Sequence, residues 1–175
     1  KFNKILHEDG GNFTAVVAIT QDKNGFIWFA TKRGFYKYDG SQLSPFINDP
    51  LNPNSPASNN LQAFYVDDNG DVWTGSVGQG LDRYQPETGI FTHFQHDSND
   101  PGSISNDSVT SIIKDHEGKL WIATHQGLDQ YDPVNNTFIH FKSLKNDSTT
   151  LSSNQVRVLY EDKQGTLWIG TGSVW

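Results

Sequence analysis

Short runs of alternating apolar and polar residues recur along the chain, separated by stretches rich in Gly, Asn, Asp, Ser and Pro. In one copy the run SVTSIIKD is followed by the turn residues HEG and then by KLWIAT. Alternation with a period of two predicts strands, and a short Gly-containing turn between two such runs predicts an antiparallel hairpin. The runs GLDQYD and TFIHFK follow, with the turn sequence PVNN between them. Each copy therefore predicts four short antiparallel strands.

Tryptophan marks the repeat of this four-strand pattern. Trp28, Trp73, Trp121 and Trp168 follow one another at intervals of 45, 48 and 47 residues. An Asp stands six residues and a Gly three residues before each Trp, as Asp22, Gly25, Asp67, Gly70, Asp115, Gly118, Asp162 and Gly165. A Tyr recurs in the third strand, as Tyr38, Tyr84 and Tyr131, and a Phe in the fourth, as Phe46, Phe94 and Phe141. A period near 45 residues with four strands is typical of a β-propeller blade.

The predicted fold is all-β: an incomplete β-propeller of about three and a half blades, each complete blade a four-stranded antiparallel sheet. We predict a single domain over 1–175, divided into a leading outer strand at 1–12, blade one at 13–58, blade two at 59–106, blade three at 107–153 and a partial fourth blade at 154–175. A blade has two apolar faces that its neighbours must cover. The open ends should therefore drive self-association of the chain, or contact with the remaining blades of a longer protein.

Composition and charge exclude several partners. Thirteen Lys and Arg against twenty Asp and Glu give a net charge of −7, and the basic residues are scattered, so nucleic acid is not an expected partner. There is no Cys, which excludes disulfides and thiolate metal sites. The sequence has no apolar run of eighteen residues and hence no predicted membrane segment. The chain lacks an initiating Met and a signal-peptide core, which predicts a mature or excised piece of something longer.

The repeat resembles a known family. The pattern D-x-x-G-x-[LIV]-W-[IF]-[GA]-T, followed by G-[LF]-x-x-Y-D and a Ser/Asn-rich loop such as TLSSNQV, resembles the two-component regulator propeller repeat. The residues that carry the resemblance in the third copy are Asp115, Gly118, Trp121, Ile122, Ala123, Thr124, Gly127, Leu128, Tyr131 and Asp132. Two departures stand out: an extra residue in SVGQG of the second copy, and the ending TGSVW of the last.

The resemblance implies a function. It implies a non-catalytic part of a periplasmic sensor propeller in a two-component system, with a sensor histidine kinase as the parent protein and an oligosaccharide as a possible ligand. A propeller-type enzyme, such as a lyase or glycan hydrolase, and a purely structural interaction module remain as alternatives.

The sequence gives only weak signals for catalytic and metal sites. His93 and His140 occupy the same blade position, which predicts a structural role, and the HxxH spacing of His93 and His96 lacks a matching Glu. The acidic segment 67–71 (DDNGD) suggests Ca²⁺, but its Asp and Gly recur in all four copies, which favours turn formation. The same segment matches the D-x-G-x-x-W box of sialidases in one copy only. We predict no catalytic residues, no metal and no cofactor.

Candidate ligand-binding residues lie where the copies differ. In a propeller, the loop between strands two and three and the loop entering the next blade share one face, around the channel mouth. Amides, hydroxyls and a few charges at these places suit a polyhydroxylated ligand such as a small glycan. The candidates are Lys32, Arg33, Asn60, Ser76, Gln79, Asp107, His125, Gln126 and Gln155.

Overall fold

The structure of this chain is a computed structural model that describes residues 15–172. Within these residues it has fourteen strands and no helix. The strands of the first sheet are β1 (Val16–Gln21), β2 (Ile27–Thr31), β3 (Gly34–Tyr38) and β4 (Leu43–Phe46). Those of the second are β5 (Leu61–Val66), β6 (Val72–Ser76), β7 (Leu81–Gln85) and β8 (Ile90–Phe94). Those of the third are β9 (Val109–Lys114), β10 (Leu120–Thr124), β11 (Gly127–Asp132) and β12 (Thr137–Phe141). The fourth sheet has β13 (Val156–Glu161) and β14 (Leu167–Thr171).

Every sheet has its strands in sequence order, and all pairs are antiparallel. The predicted all-β fold of four-stranded blades is confirmed, with two strands described in the fourth. The strand predicted at 1–12 lies outside the described residues. Residues 15–172 also contain no helix that is long and apolar enough to cross a membrane.

The repeated Asp organises the first hairpin of each sheet. Asp22 Oδ1 accepts the backbone N–H groups of Asn24 and Phe26 at 2.9 and 3.0 Å, and its Oδ2 accepts the indole N–H of Trp28 at 2.9 Å. The indole N–H groups of Trp73, Trp121 and Trp168 bind their own repeat Asp at 3.4, 2.7 and 2.7 Å. The turn Gly has a φ between +81° and +92° in all four copies, which other residues rarely adopt. The motif is therefore a self-contained turn that also fixes the Trp ring.

The hydrophobic core lies between successive sheets. Between the first two, Phe46 of β4 packs on Tyr84 of β7 with ring centroids 4.8 Å apart. Between the second and third, Trp73 meets the edge of Tyr131 at 5.1 Å. A third cluster joins Ala123 and Leu128 of the third sheet to Val156 and Leu159 of the fourth. The repeat aromatics thus bury the faces that a single sheet would expose.

Candidate functional site

The loops between second and third strands meet the long loops that enter the sheets, on one face of the blade stack. The N–H of Gly34 donates to the carbonyl of Asn59 at 2.7 Å, and that of Gly80 to the carbonyl of Asp107 at 2.9 Å. The N–H of His125 donates to the carbonyl of Ser108 at 3.1 Å, and that of Gly172 to the carbonyl of Gln155 at 2.7 Å. The two loop groups that carry the predicted ligand-binding residues therefore share one face.

Three predicted residues on this face have side chains committed to the scaffold. Ser76 is only 4% exposed, and its hydroxyl donates to the carbonyl of Gly80 at 3.5 Å. Asp107 Oδ1 accepts the N–H of His96 at 2.7 Å, and Lys32 Nζ donates to the carbonyl of Leu61 at 2.8 Å. The Ser76 hydroxyl is thus used inside the scaffold, and the assignment of Ser76 as a ligand-binding residue stays a prediction.

Asp107 is one member of a repeated loop contact. Asn59 Oδ1 accepts the N–H of Asn48 at 2.7 Å, and Asn154 Oδ1 accepts that of Ser143 at 2.6 Å. In every copy the acceptor lies eleven residues after the donor. Asp107 therefore keeps the Oδ1 acceptor that Asn provides in the other two copies. This oxygen already accepts a hydrogen bond from the backbone of the chain itself.

The remaining predicted residues keep their side chains at the surface or in a pocket. Arg33, Asn60, Gln79 and Gln126 are exposed. His125 and Gln155 instead come together in a polar pocket of about 680 Å³ between the third and fourth sheets. The other lining residues are Ser143, Ser152, Ser153, Asn154, Thr171 and Gly172.

Neutral hydrogen-bonding groups dominate this polar pocket. Hydroxyls, two amides and one imidazole line it, and it contains no carboxylate and no Lys or Arg. Ser152 and Thr171 share a hydrogen bond of 2.8 Å between their hydroxyl oxygens, which fixes both. Ser143, Ser152, Ser153 and Thr171 were not among the predicted ligand-binding residues.

A second arrangement pins the loop that enters the second sheet. His93 Nδ1 lies 2.7 Å from Asp82 Oδ1, and His93 Nε2 lies 3.0 Å from the carbonyl oxygen of Pro53. Asp82 Oδ2 also accepts the N–H of Ala57 at 2.8 Å. The hydrogen bond to Asp82 raises the pKa of His93 above its usual value. We call this Asp–His–carbonyl arrangement a loop clamp.

The third sheet has the same loop clamp. His140 Nδ1 lies 2.6 Å from Asp129 Oδ1, and Nε2 lies 2.9 Å from the carbonyl oxygen of Pro101. Asp129 is fully buried and its Oδ2 accepts both the N–H and the hydroxyl of Ser105 at 2.9 Å. The predicted structural role of the two His residues agrees with this geometry. Their Asp partners were missed, although the recurrence of LD-x-Y in two copies could have indicated them.

The segments considered for metal binding are occupied by internal contacts. Asp67 Oδ1 accepts the N–H groups of Asn69 and Asp71 at 2.8 and 3.0 Å, and Arg83 Nε donates to Asp71 Oδ2 at 2.7 Å. His96 Nδ1 lies 2.8 Å from the carbonyl oxygen of Ile104. Within residues 15–172, no three or more His, Asp or Glu side chains are grouped so that they could hold a metal ion.

The comparisons with known proteins identify the repeat. Residues 10–33, 103–126 and 150–173 match the model of the two component regulator propeller family. Three segments of the chain thus match the two-component regulator propeller repeat. Each match spans the Asp–Gly–Trp hairpin described above and the start of the loop that follows it. None of the curated proteins matches the chain.

Solved structures show the same blade arrangement. One is described as the extracellular domain of a hybrid two component system, BT3049, from B. thetaiotaomicron. Its sequence is 30% identical to this chain, and the two structures superpose with a TM-score of 0.79. The match covers 92% of this chain and 22% of that one. PorZ, a surface component of the type-IX secretion system of Porphyromonas gingivalis, is 22% identical with a TM-score of 0.69, covering 94% of this chain and 26% of that one.

The likeness extends to an enzyme at the level of fold alone. Virginiamycin B lyase from Staphylococcus aureus is 14% identical with a TM-score of 0.64, and the match covers 90% of this chain and 49% of the lyase. This chain thus spans less than half of the length of each of these three solved chains.

Proposed function

We propose that this chain is part of the periplasmic sensor propeller of a two-component signalling protein, and that it binds a ligand without transforming it. The observation that carries the proposal is the set of regulator propeller repeats, in a chain 30% identical to an extracellular domain of a hybrid two component system. Signal output, as by a histidine kinase, belongs to other parts of the parent protein.

The proposed ligand is a neutral, polyhydroxylated molecule such as a small glycan, bound in the polar pocket. A sugar offers many hydroxyls of moderate hydrogen-bonding strength and little charge, which matches a lining of hydroxyls, amides and one imidazole. His125 and Gln155 approach from different loops, and each would contact the ligand. Ser152 and Thr171, fixed by their mutual hydrogen bond, would offer remaining lone pairs at little ordering cost.

The experiment is a screen of the 175-residue chain against a panel of neutral and acidic oligosaccharides, followed by calorimetric titration of the hits. Loss of binding in His125→Ala and Gln155→Ala, with retained binding in Gln164→Ala, would support the pocket. Gln164 is a matched control because it is exposed in the β13–β14 turn, on the opposite end of the same sheet. Absence of binding to every member of the panel, or equal binding by all three variants, would contradict the proposal.

A further inference from the structure

Successive sheets can form an ion pair at one repeated pair of positions near their first hairpin turns. These positions are the residue after the repeat Asp in one sheet and the residue before the repeat Asp in the next. In chain order they hold Lys23 and Val66, Asp68 and Lys114, and His116 and Glu161. Val66 cannot form an ion pair, whereas Lys114 Nζ donates to Asp68 Oδ2 at 3.2 Å. The third pair contains a His, which titrates near neutral pH.

His116 and Glu161 make a two-point contact between the third and fourth sheets. The backbone N–H of His116 donates to Glu161 Oε2 at 3.0 Å and to Oε1 at 3.1 Å. His116 Nδ1 lies 2.5 Å from the same Oε1. Because an ionised carboxylate only accepts hydrogen bonds, Nδ1 carries a proton in this contact. The ring therefore gains its charge at Nε2, and that charge strengthens the bond from Nδ1.

The His116 ring also packs against the turn of the fourth sheet. A Cβ built on Gly165 would lie 2.6 Å from the ring carbon Cε1, so the ring lies directly on the turn backbone. At the three other turn glycines, a Cβ would meet no described atom of a neighbouring sheet within 4 Å. The side chain of Glu161 is 18% exposed and that of His116 is 61% exposed. The contact is therefore firm on one side and open to water on the other, where the ring exchanges its proton.

Acidic groups outnumber basic groups around this contact. The charged residues of the two turns and of the strand ends beside them are Lys114, Asp115, Glu117, Lys119, Glu161, Asp162 and Lys163. Lys114 and Lys119 already pair with other carboxylates. The hydrogen bond to Glu161 raises the pKa of His116, and the nearby negative charges act in the same direction. The charged form of the ring is thus the one that this surroundings favours.

We propose that His116 and Glu161 form a pH-sensitive latch between the third and fourth sheets. In mildly acidic solution the charged His116 ring and the Glu161 carboxylate form an ion pair that holds the two turns together. As the ring loses its charge, a weaker neutral hydrogen bond remains. The same two sheets enclose the polar pocket at the opposite end of their strands. The latch therefore tightens one end of the sheet pair that forms the pocket.

The direction of the pH effect follows from linkage. A His whose pKa is raised by folding contributes stability that is fully present below its unfolded pKa of about 6.5 and is lost as the pH rises through the folded value. The Asp68–Lys114 pair keeps both charges across the neutral range. The contact between the second and third sheets therefore serves as an internal reference that does not respond.

The first measurement is an NMR titration of the His116 ring in the 175-residue chain, with its signal identified by its absence in His116→Gln. The ring should titrate with a pKa above about 6.5. In Glu161→Gln, which keeps the size of the side chain and one acceptor oxygen, the pKa should return towards about 6.5. Glu117→Gln is the matched control, because it removes a carboxylate of the same turn that pairs with Lys119. It should change the pKa less than Glu161→Gln does.

Amide hydrogen exchange then shows whether the charge holds the turn. After correction for the intrinsic exchange rate, protection of the His116 N–H should be about two- to fivefold higher at about pH 5.5 than at about pH 8.5, the range of an exposed ion pair. Glu161→Gln should remove this pH dependence. Protection of the Gly70 N–H, which donates to the carbonyl of Asp67 at 2.9 Å in the turn of the second sheet, should stay constant.

Three results would overturn the proposal. One is a His116 pKa at or below about 6.5 in the wild-type chain, which decides the matter without any variant. Another is a raised pKa that Glu161→Gln leaves unchanged, because the acidic surroundings would then be the cause instead of the latch. The third is a protection of the His116 N–H that does not vary with pH.

Discussion

The loop clamp of His93 predicts an unusual dependence of stability on pH. Both ring nitrogens of His93 face hydrogen-bond acceptors, the Asp82 carboxylate at 2.7 Å and the Pro53 carbonyl at 3.0 Å. A neutral imidazole has one N–H and can satisfy only one of them, whereas the imidazolium satisfies both. The structure therefore favours the charged form, in agreement with the raised pKa that the hydrogen bond to Asp82 gives His93.

The sign of the effect follows from linkage. A His whose pKa is raised by folding contributes stability that is fully present below its unfolded pKa of about 6.5 and is lost as the pH rises through the folded value. In the acidic range, His93→Gln removes a charge-assisted hydrogen bond from Asp82, whose side chain is 5% exposed. Such bonds contribute up to about 3 kcal/mol, and because the His93 side chain is 32% exposed we expect a loss of about 2 kcal/mol.

The assay is urea unfolding of the wild-type chain and of His93→Gln, followed by tryptophan fluorescence across the neutral range, from about pH 6 to about pH 9. The difference between the two free energies of unfolding should shrink as the pH rises, because the wild type loses the bond from Nε2 to Pro53. His116, whose pKa is raised by its hydrogen bond to Glu161, titrates in both proteins and cancels in the difference. A difference that stays constant across this range would refute the charged clamp.

Three further predictions concern the scaffold, and thermal unfolding checks each of them. Asp115→Ala should destabilise by about 2 kcal/mol, because the indole N–H of Trp121 and the N–H of Lys119 lose their acceptor; an unchanged Tm would contradict this role. Gly80→Ala should lower stability far more than Gly78→Ala. The two residues have similar φ values of +80° and +76°, but a Cβ at Gly80 would lie 2.2 Å from the carbonyl oxygen of Phe94, whereas one at Gly78 would meet nothing within 4 Å. Equal losses of stability would show that backbone strain alone decides the cost. Thr74→Val should stabilise by about 1 kcal/mol, because Thr74 Oγ1 is buried without a hydrogen-bond partner among the described residues, and a lower Tm would indicate an unseen partner.

The sequence was informative where one turn contains the whole interaction. Asp, Gly and Trp of the repeat lie within seven residues, so their spacing already contains the geometry of the hairpin. The four-stranded blades followed because the same local pattern recurs. The loop clamp joins residues 11 and 40 positions apart, His93 with Asp82 and with Pro53, and no local pattern reports such a contact.

At two predicted positions, variation between copies does not separate ligand binding from a structural role. Ser76 differs from Thr31 and Thr124, yet all three hydroxyls donate to the carbonyl of a Gly that follows within four residues. Asp107 differs from Asn59 and Asn154, yet all three present the same acceptor oxygen. A substitution that keeps the hydrogen-bonding atom is neutral for the scaffold, so difference in residue type does not distinguish binding from structure.

The loop of residues 142–155 lines the polar pocket and is held by two internal hydrogen bonds. Asn154 Oδ1 accepts the N–H of Ser143 at 2.6 Å, and Thr150 Oγ1 accepts the N–H of Leu144 at 2.9 Å. Because Ser143 and Asn154 both line the pocket, the first bond fixes part of the lining in the absence of a ligand. Under the proposed function, this fixed lining would reduce the ordering cost of binding.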